Sequence, residues 1–172
     1  VIGIGSSNKY DFRNPFTAEE TIEMLGLHLS KQFSNYSFLC IPDFGHIPQF
    51  RDGSKWVGEV AKAFGKLDAF VTGNEYVANL LEGHYAVIAG QDIIPKEKWA
   101  MMCGTMVRTA MAQGTDLRHM MPSSVADYLE SKKLVERFRR EFGLETLAAM
   151  AGQDIYRRDA DAEHFRIASA VE

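Results

Sequence analysis

Asp68-Ala69-Phe70-Val71-Thr72-Gly73-Asn74 is the stretch on which the fold turns. An apolar run with aromatic and β-branched members, closed by Gly-Asn, reads as a short strand with a turn at its exit. Val77, Leu80 and Leu81 then recur at helical spacing, and Tyr85-Ala86-Val87-Ile88-Ala89 is a second strand. Strand, helix and strand in that order form a βαβ unit, and a helical crossover joins strands that run parallel.

The same alternation extends upstream. Ser37-Phe38-Leu39-Cys40-Ile41-Pro42 is a continuous apolar run stopped by proline, which predicts a strand with both faces covered. Between it and the opening stretch, Val57, Val60, Ala61 and Phe64 mark a helix over 54–64. At the start of the chain, Ile2 and Ile4 make a strand-like pair that exits through Gly5, Ser6, Ser7 and Asn8. Asn14-Pro15-Phe16-Thr17 follows, and Thr17 with Glu20 has the spacing of a capping box. The helix it opens should bury Ile22, Leu25, Leu29 and Phe33. Repeated βαβ units predict an α/β fold with a doubly wound parallel sheet, whose ligands lie beyond the C-terminal strand ends. Gly5, Asp43, Gly73 and Asn74 all fall at such ends.

Local sequence leaves several of these positions with two readings. Gly5 and Ser6 form either an ordinary turn or a backbone-rich edge along a nucleotide. Asn74 either caps the next helix or presents its amide to a ligand. Trp56, beside the apolar stripe of its helix, either packs on the helix entry or forms an aromatic platform at a pocket mouth. The segment 44–53, rich in Gly, Pro and charge and without a period, should be a sizeable loop, and His46 within it has no evident partner.

Downstream, Met102-Cys103-Gly104-Thr105-Met106-Val107-Arg108 opens a helix with small residues and sets an arginine in its first turns. Bare N–H groups at a helix N-terminus favour an anion, and a guanidinium adds a forked cationic donor to the same oxygens. A plain helix cap competes with that phosphate-site reading. Pro122-Ser123-Ser124 opens another helix, and Leu134, Val135 and Phe138 continue an amphipathic pattern. Its Lys132, Lys133, Arg137, Arg139 and Arg140 alternate with Glu130, Glu136 and Glu141, as on a solvated helix face. Residues 143–172 should form a tail, a loosely packed helix or partly disordered, after a domain over 1–142.

Composition narrows the function. The 172 residues are 46% apolar and carry a formal charge of −4. That is enough for a core and lacks the general basic field of a nucleic-acid binder. Cys40 and Cys103 lack the spacing of a metal site or a disulfide framework, which suits a reduced, cytoplasmic setting. No run is apolar enough to span a membrane. The chain starts on Val1 inside a strand-like run, so further sequence is expected upstream.

The separate motifs also form an ordered set. Ile2-Gly3-Ile4-Gly5-Ser6-Ser7, Asn14-Pro15-Phe16-Thr17, Trp56-Val57-Gly58, Thr72-Gly73-Asn74, Gly104-Thr105-Met106-Val107-Arg108 and Met121-Pro122-Ser123-Ser124-Val125 resemble, in order and spacing, the archaeal-type nicotinamide-nucleotide adenylyltransferases. The resemblance implies a Rossmann-like nucleotidyltransferase fold. It also implies transfer of the adenylyl group of ATP, with Mg²⁺, to nicotinamide mononucleotide, giving NAD and pyrophosphate. On the same footing, Arg108 is the catalytic cation, and with Gly104 and Thr105 it holds the triphosphate. Gly5 and Ser6 lie along the nucleotide, while Trp56, Gly73 and Asn74 contact the nicotinamide and nucleotide. The family commonly assembles, which makes a homo-oligomer an open expectation.

Four departures qualify the match. The family's histidine-x-glycine-histidine motif is absent from these residues, Cys103 stands where serine is usual, and Thr21 stands where an arginine is frequent. The 44–55 loop is also longer than usual. The sequence therefore predicts that the 172 residues alone have little activity. Transfer to another phosphorylated acceptor, and nucleotide binding without turnover, remain as alternatives.

Overall fold

The computed structural model describes residues 1–98 and 102–156, the latter with side chains through 152. They form two compact units, one of residues 1–9, 17–22 and 33–98, the other of 10–16, 23–32 and 102–156.

In the first unit, β1 (Ile2–Gly5) pairs in parallel with β2 (Phe38–Ile41), from Ile2 opposite Phe38 to Gly5 opposite Ile41. Helix α1 (Ala18–Leu29) intervenes in sequence, and its capping box forms as the spacing requires. Glu20 N–H donates to Thr17 Oγ1 at 3.2 Å, and Thr17 N–H donates to Glu20 Oε2 at 3.0 Å. Its apolar stripe differs at the end. Met24 is the buried residue, and Phe33, beyond the last turn, is exposed because the helix stops at Leu29.

The segment after β2 is structured rather than an open loop. A 3₁₀ turn spans Pro48–Phe50, and Lys55 Nζ lies 4.4 Å and 4.6 Å from the ring centroids of Phe44 and Phe50. Helix α2 (Ser54–Phe64) starts after Gly53, whose φ is +80°. A β-carbon there would stand 2.6 Å from Leu80 Cδ1, so both the backbone angle and the close approach require glycine.

Strand β3 (Phe70–Thr72) and β4 (Val87–Ala89) pair in parallel across helix α3 (Glu75–Leu81), completing the βαβ unit. Ile41, Val57, Val60 and Leu81 form the core of this unit, with Phe64, Phe70 and Val87 packed against it. The strands cover one face more completely than the other. Val71 and Ile88, cross-strand neighbours, are both exposed, as is Cys40 on β2, so the expectation of two covered faces does not hold. A short helix, α4 (Gly90–Ile93), follows β4.

The second unit is helical. Helix α5 (Gly104–Gln113) packs along α7 (Leu134–Tyr156), which also contacts α6 (Ser123–Ser131). Met24, Met111, Leu129 and Phe138 are central to its core, with Met111 and Phe138 almost wholly buried. Helix α7 crosses residues 142–143 without a break, while 157–172, part of the segment expected as a tail, lie outside the described residues. Of its basic residues, Arg140 pairs with Glu141 on the surface and Arg137 Nη2 donates to Pro15 O at 3.1 Å. Among the described residues no helix is long and apolar enough to cross a membrane.

Candidate functional site

Helix α5 begins without a side-chain cap. Cys103 is extended at the N-cap, and its thiol makes no hydrogen bond to the first-turn N–H groups. Arg108, one turn into the helix, folds back over that end. Its Nη2 donates to Thr105 Oγ1 at 3.2 Å, and its Nη1 lies 2.8 Å from where a β-carbon of residue 104 would stand. A side chain at 104 would therefore push aside the mobile end of Arg108.

Burial lowers the Arg108 pKa from its ordinary value, Cys103 opposes that shift, Arg13 adds to it, and Asp11 opposes it. A guanidinium stays charged at neutral pH despite such a shift. Its half-buried charge faces a cavity of about 280 Å³ lined by Phe12, Arg13, Thr105, Arg108, Thr146 and Met150. Bare helix N–H groups beside a desolvated arginine favour an anion. Gly104, Thr105 and Arg108 are therefore brought together as the sequence led one to expect, and Arg13 and Thr146 join them without any local signal.

At the end of β1 the chemistry is different. Ser6 Oγ donates to Asp43 Oδ2 at 3.0 Å, Lys9 Nζ donates to the same oxygen at 2.7 Å, and Gly45 N–H donates to Asp43 Oδ1 at 2.6 Å. Partial burial pushes the Asp43 carboxyl up, but the donors from Lys9, Gly45 and Ser6 outweigh it and hold the pKa below its ordinary value. Asn8 ties the same loops through backbone atoms of residue 43, accepting from its N–H at 2.7 Å and donating to its carbonyl at 2.9 Å. Asp43 is thus the hub that fixes the Gly5-Ser6 exit. Its place at a strand end was visible in the sequence, but its partners were not.

Gly73 and Asn74 line a cleft of about 640 Å³ with Thr72, Glu82, Tyr85 and Asp92. Asn74 caps α3, its side-chain oxygen accepting from Val77 N–H at 3.3 Å. The capping reading therefore holds, and the residue also faces the cleft. Trp56, in the first turn of α2, is half-buried against the core of Ile41, Val57, Val60 and Leu81. Among the described residues no three His, Cys, Asp or Glu side chains gather as a metal site, so the groups around Arg108 do not form a protein cage for a divalent cation.

No family model matches the chain. Curated relatives do. The nicotinamide-nucleotide adenylyltransferase of Pyrococcus furiosus is 32% identical over 143 residues, covering 81% of this chain and 72% of the relative. The chain belongs to the nicotinamide-nucleotide adenylyltransferase family. The adenylyltransferase of Thermococcus onnurineus is 30% identical over 141 residues, and that of Methanococcus maripaludis 26% over 141, each across 81% of this chain.

Proposed function

We propose that this protein transfers the adenylyl group of ATP to nicotinamide mononucleotide, giving NAD and pyrophosphate. The arrangement that carries the reading is Arg108 lying across the uncapped N-terminus of α5. In this reaction a phosphate oxygen of the mononucleotide attacks the α-phosphorus of ATP, the bond to the β-phosphate oxygen breaks, and pyrophosphate departs. Such a transfer needs positioned reactants and compensation of developing negative charge, with no covalent nucleophile.

Arg108 supplies that compensation together with the backbone N–H groups of Gly104 and Thr105. Gly5 and Ser6, held by Asp43, line the nucleotide path, and Gly73, Asn74 and Trp56 contact the nucleotide and nicotinamide. With its oxygen engaged by Val77, Asn74 offers a ligand its amide N–H groups. The metal of this reaction is Mg²⁺, which keeps several waters and travels on substrate phosphates rather than in an all-protein cage. Residues 1–142 make up the nucleotidyltransferase domain, and the protein works in the cytoplasm.

The test is direct. Both the 172-residue chain and the complete product of its gene are incubated with ATP, Mg²⁺ and nicotinamide mononucleotide, and NAD is measured by chromatography. The complete product should make NAD, and the 172 residues far less, because the histidine-x-glycine-histidine motif is absent from them. Failure of both overturns the reading. Turnover only with nicotinate mononucleotide or another phosphorylated acceptor moves the activity to that acceptor, and ATP binding without turnover makes the protein a nucleotide-binding module.

A further inference from the structure

Ser6, Asn8 and Lys9 follow the end of β1, and all three are held by one residue of the β2 exit. Ser6 Oγ and Lys9 Nζ donate to the same carboxylate oxygen of Asp43, and Gly45 N–H donates to the other. Asn8 joins the backbone of residue 43 through both ends of its amide. The cluster fixes a direction as well as a place. Asp43 is held below its ordinary pKa, so at neutral pH its carboxylate bears no proton and only accepts hydrogen bonds. The one proton of the Ser6 hydroxyl therefore points at Asp43, and what Ser6 has left for a ligand is the lone-pair side of its oxygen.

That side of the oxygen selects among the parts of a nucleotide. An ionised phosphate oxygen is itself an acceptor, so against Ser6 Oγ it sets lone pair against lone pair. Ribose hydroxyls and base N–H groups donate. The charges favour the same parts. Lys9 brings a cation to this exit, but Asp43 lies 2.7 Å from it, so an incoming phosphate meets a carboxylate beside the ammonium and an incoming metal ion meets the ammonium beside the carboxylate. Arg108 is different, because it bonds the neutral hydroxyl of Thr105 and keeps its net charge. Ser6 is half-buried, so a ligand reaching it exchanges water for one uncharged hydrogen bond.

We infer that Ser6 is a nucleoside-binding residue, whose Oγ accepts a hydrogen bond from an uncharged donor, a ribose hydroxyl or a base N–H, and that Asp43 is the positioning residue that orients it. The exit of β1 thus holds the nucleoside part of a nucleotide and not its phosphate. That the ligand is ATP or nicotinamide mononucleotide rests on the adenylyl-transfer reading, whereas the acceptor character of Ser6 rests on the Asp43 cluster alone.

Calorimetric titration of the full-length protein with ATP, nicotinamide mononucleotide and inorganic tripolyphosphate tests this. Ser6→Ala should weaken one of the two nucleotides about threefold to tenfold, the scale of one uncharged hydrogen bond, and leave tripolyphosphate unchanged. The 2′- and 3′-deoxy analogues of that nucleotide then identify the donor. An analogue lacking it binds wild type more weakly and loses nothing further in Ser6→Ala, and if neither behaves so the donor is a base N–H. Asp43→Asn should weaken the same nucleotide, with no further loss in the Ser6→Ala background, because its effect runs through the hydroxyl. Equal losses in both backgrounds make Asp43 a structural residue and remove it. Wild-type affinity for both nucleotides in Ser6→Ala overturns the inference, as does a matching loss of tripolyphosphate. If the protein makes no NAD yet Ser6→Ala weakens a nucleotide and spares tripolyphosphate, the adenylyl-transfer reading fails and the role of Ser6 stands. NAD synthesis with unaltered nucleotide binding in Ser6→Ala gives the reverse.

Discussion

The guanidinium of Arg108 lies across Gly104, with Nη1 2.8 Å from where a β-carbon on that residue would be. Glycine at the helix start and arginine one turn later are therefore one device, because a side chain at 104 displaces the guanidinium from the bare N–H groups. Gly104→Ala should leave stability nearly unchanged, since the far end of a long side chain can move aside and alanine suits a helix. It should lower kcat/KM for NAD synthesis by about tenfold, and Arg108→Ala by on the order of 10²-fold. Steady-state kinetics on both variants check this, and an unaltered rate in Arg108→Ala removes it from the site.

Cys103 gives the first turn of α5 no side-chain acceptor. Cys103→Ser places a hydroxyl oxygen where it can accept the N–H of Thr105 or Met106. Stability should rise by about 0.5–1 kcal/mol, the usual scale of an N-cap, read from urea unfolding at neutral pH. A midpoint that does not rise shows that the extended backbone at 103 points the side chain elsewhere.

Asp43 predicts an acid limb to the stability curve. Its folded-state pKa lies below the ordinary value, so its contribution is present above the unfolded-state pKa of about 4 and is lost as pH falls through the folded one. Asp43→Asn should cost about 1–2 kcal/mol at pH 7, discounted for partial exposure, with the difference from wild type shrinking towards pH 2. Urea midpoints compared across that range decide it. A gap independent of pH means that the carboxylate charge is not what Lys9 and Gly45 stabilise.

Gly53 combines a φ of +80° with a virtual β-carbon 2.6 Å from Leu80 Cδ1. Gly53→Ala therefore meets left-handed backbone strain and a clash with a side chain packed on the core. Together these should cost about 2–4 kcal/mol. Thermal unfolding should show the loss, and Leu80→Ala in the same background should recover part of the steric share.

Short-range physics made much of this protein legible in its sequence. The Thr17 and Glu20 capping box, the helix over 54–64 and the parallel pairing of 70–72 with 87–89 follow from caps and periodicities that act over a few residues. The start of α5 could be read for the same reason, because a small residue, a glycine and an arginine one turn apart act on one helix end. What only the tertiary structure decided depends on chain brought together from afar. Asp43 collects Ser6 and Lys9 across more than thirty residues, and Thr146 on α7 meets Arg13 and Arg108 around one cavity. Such a charge or hydroxyl looks like any surface residue in the sequence, since what sets it apart is desolvation, and desolvation is a property of the packed fold.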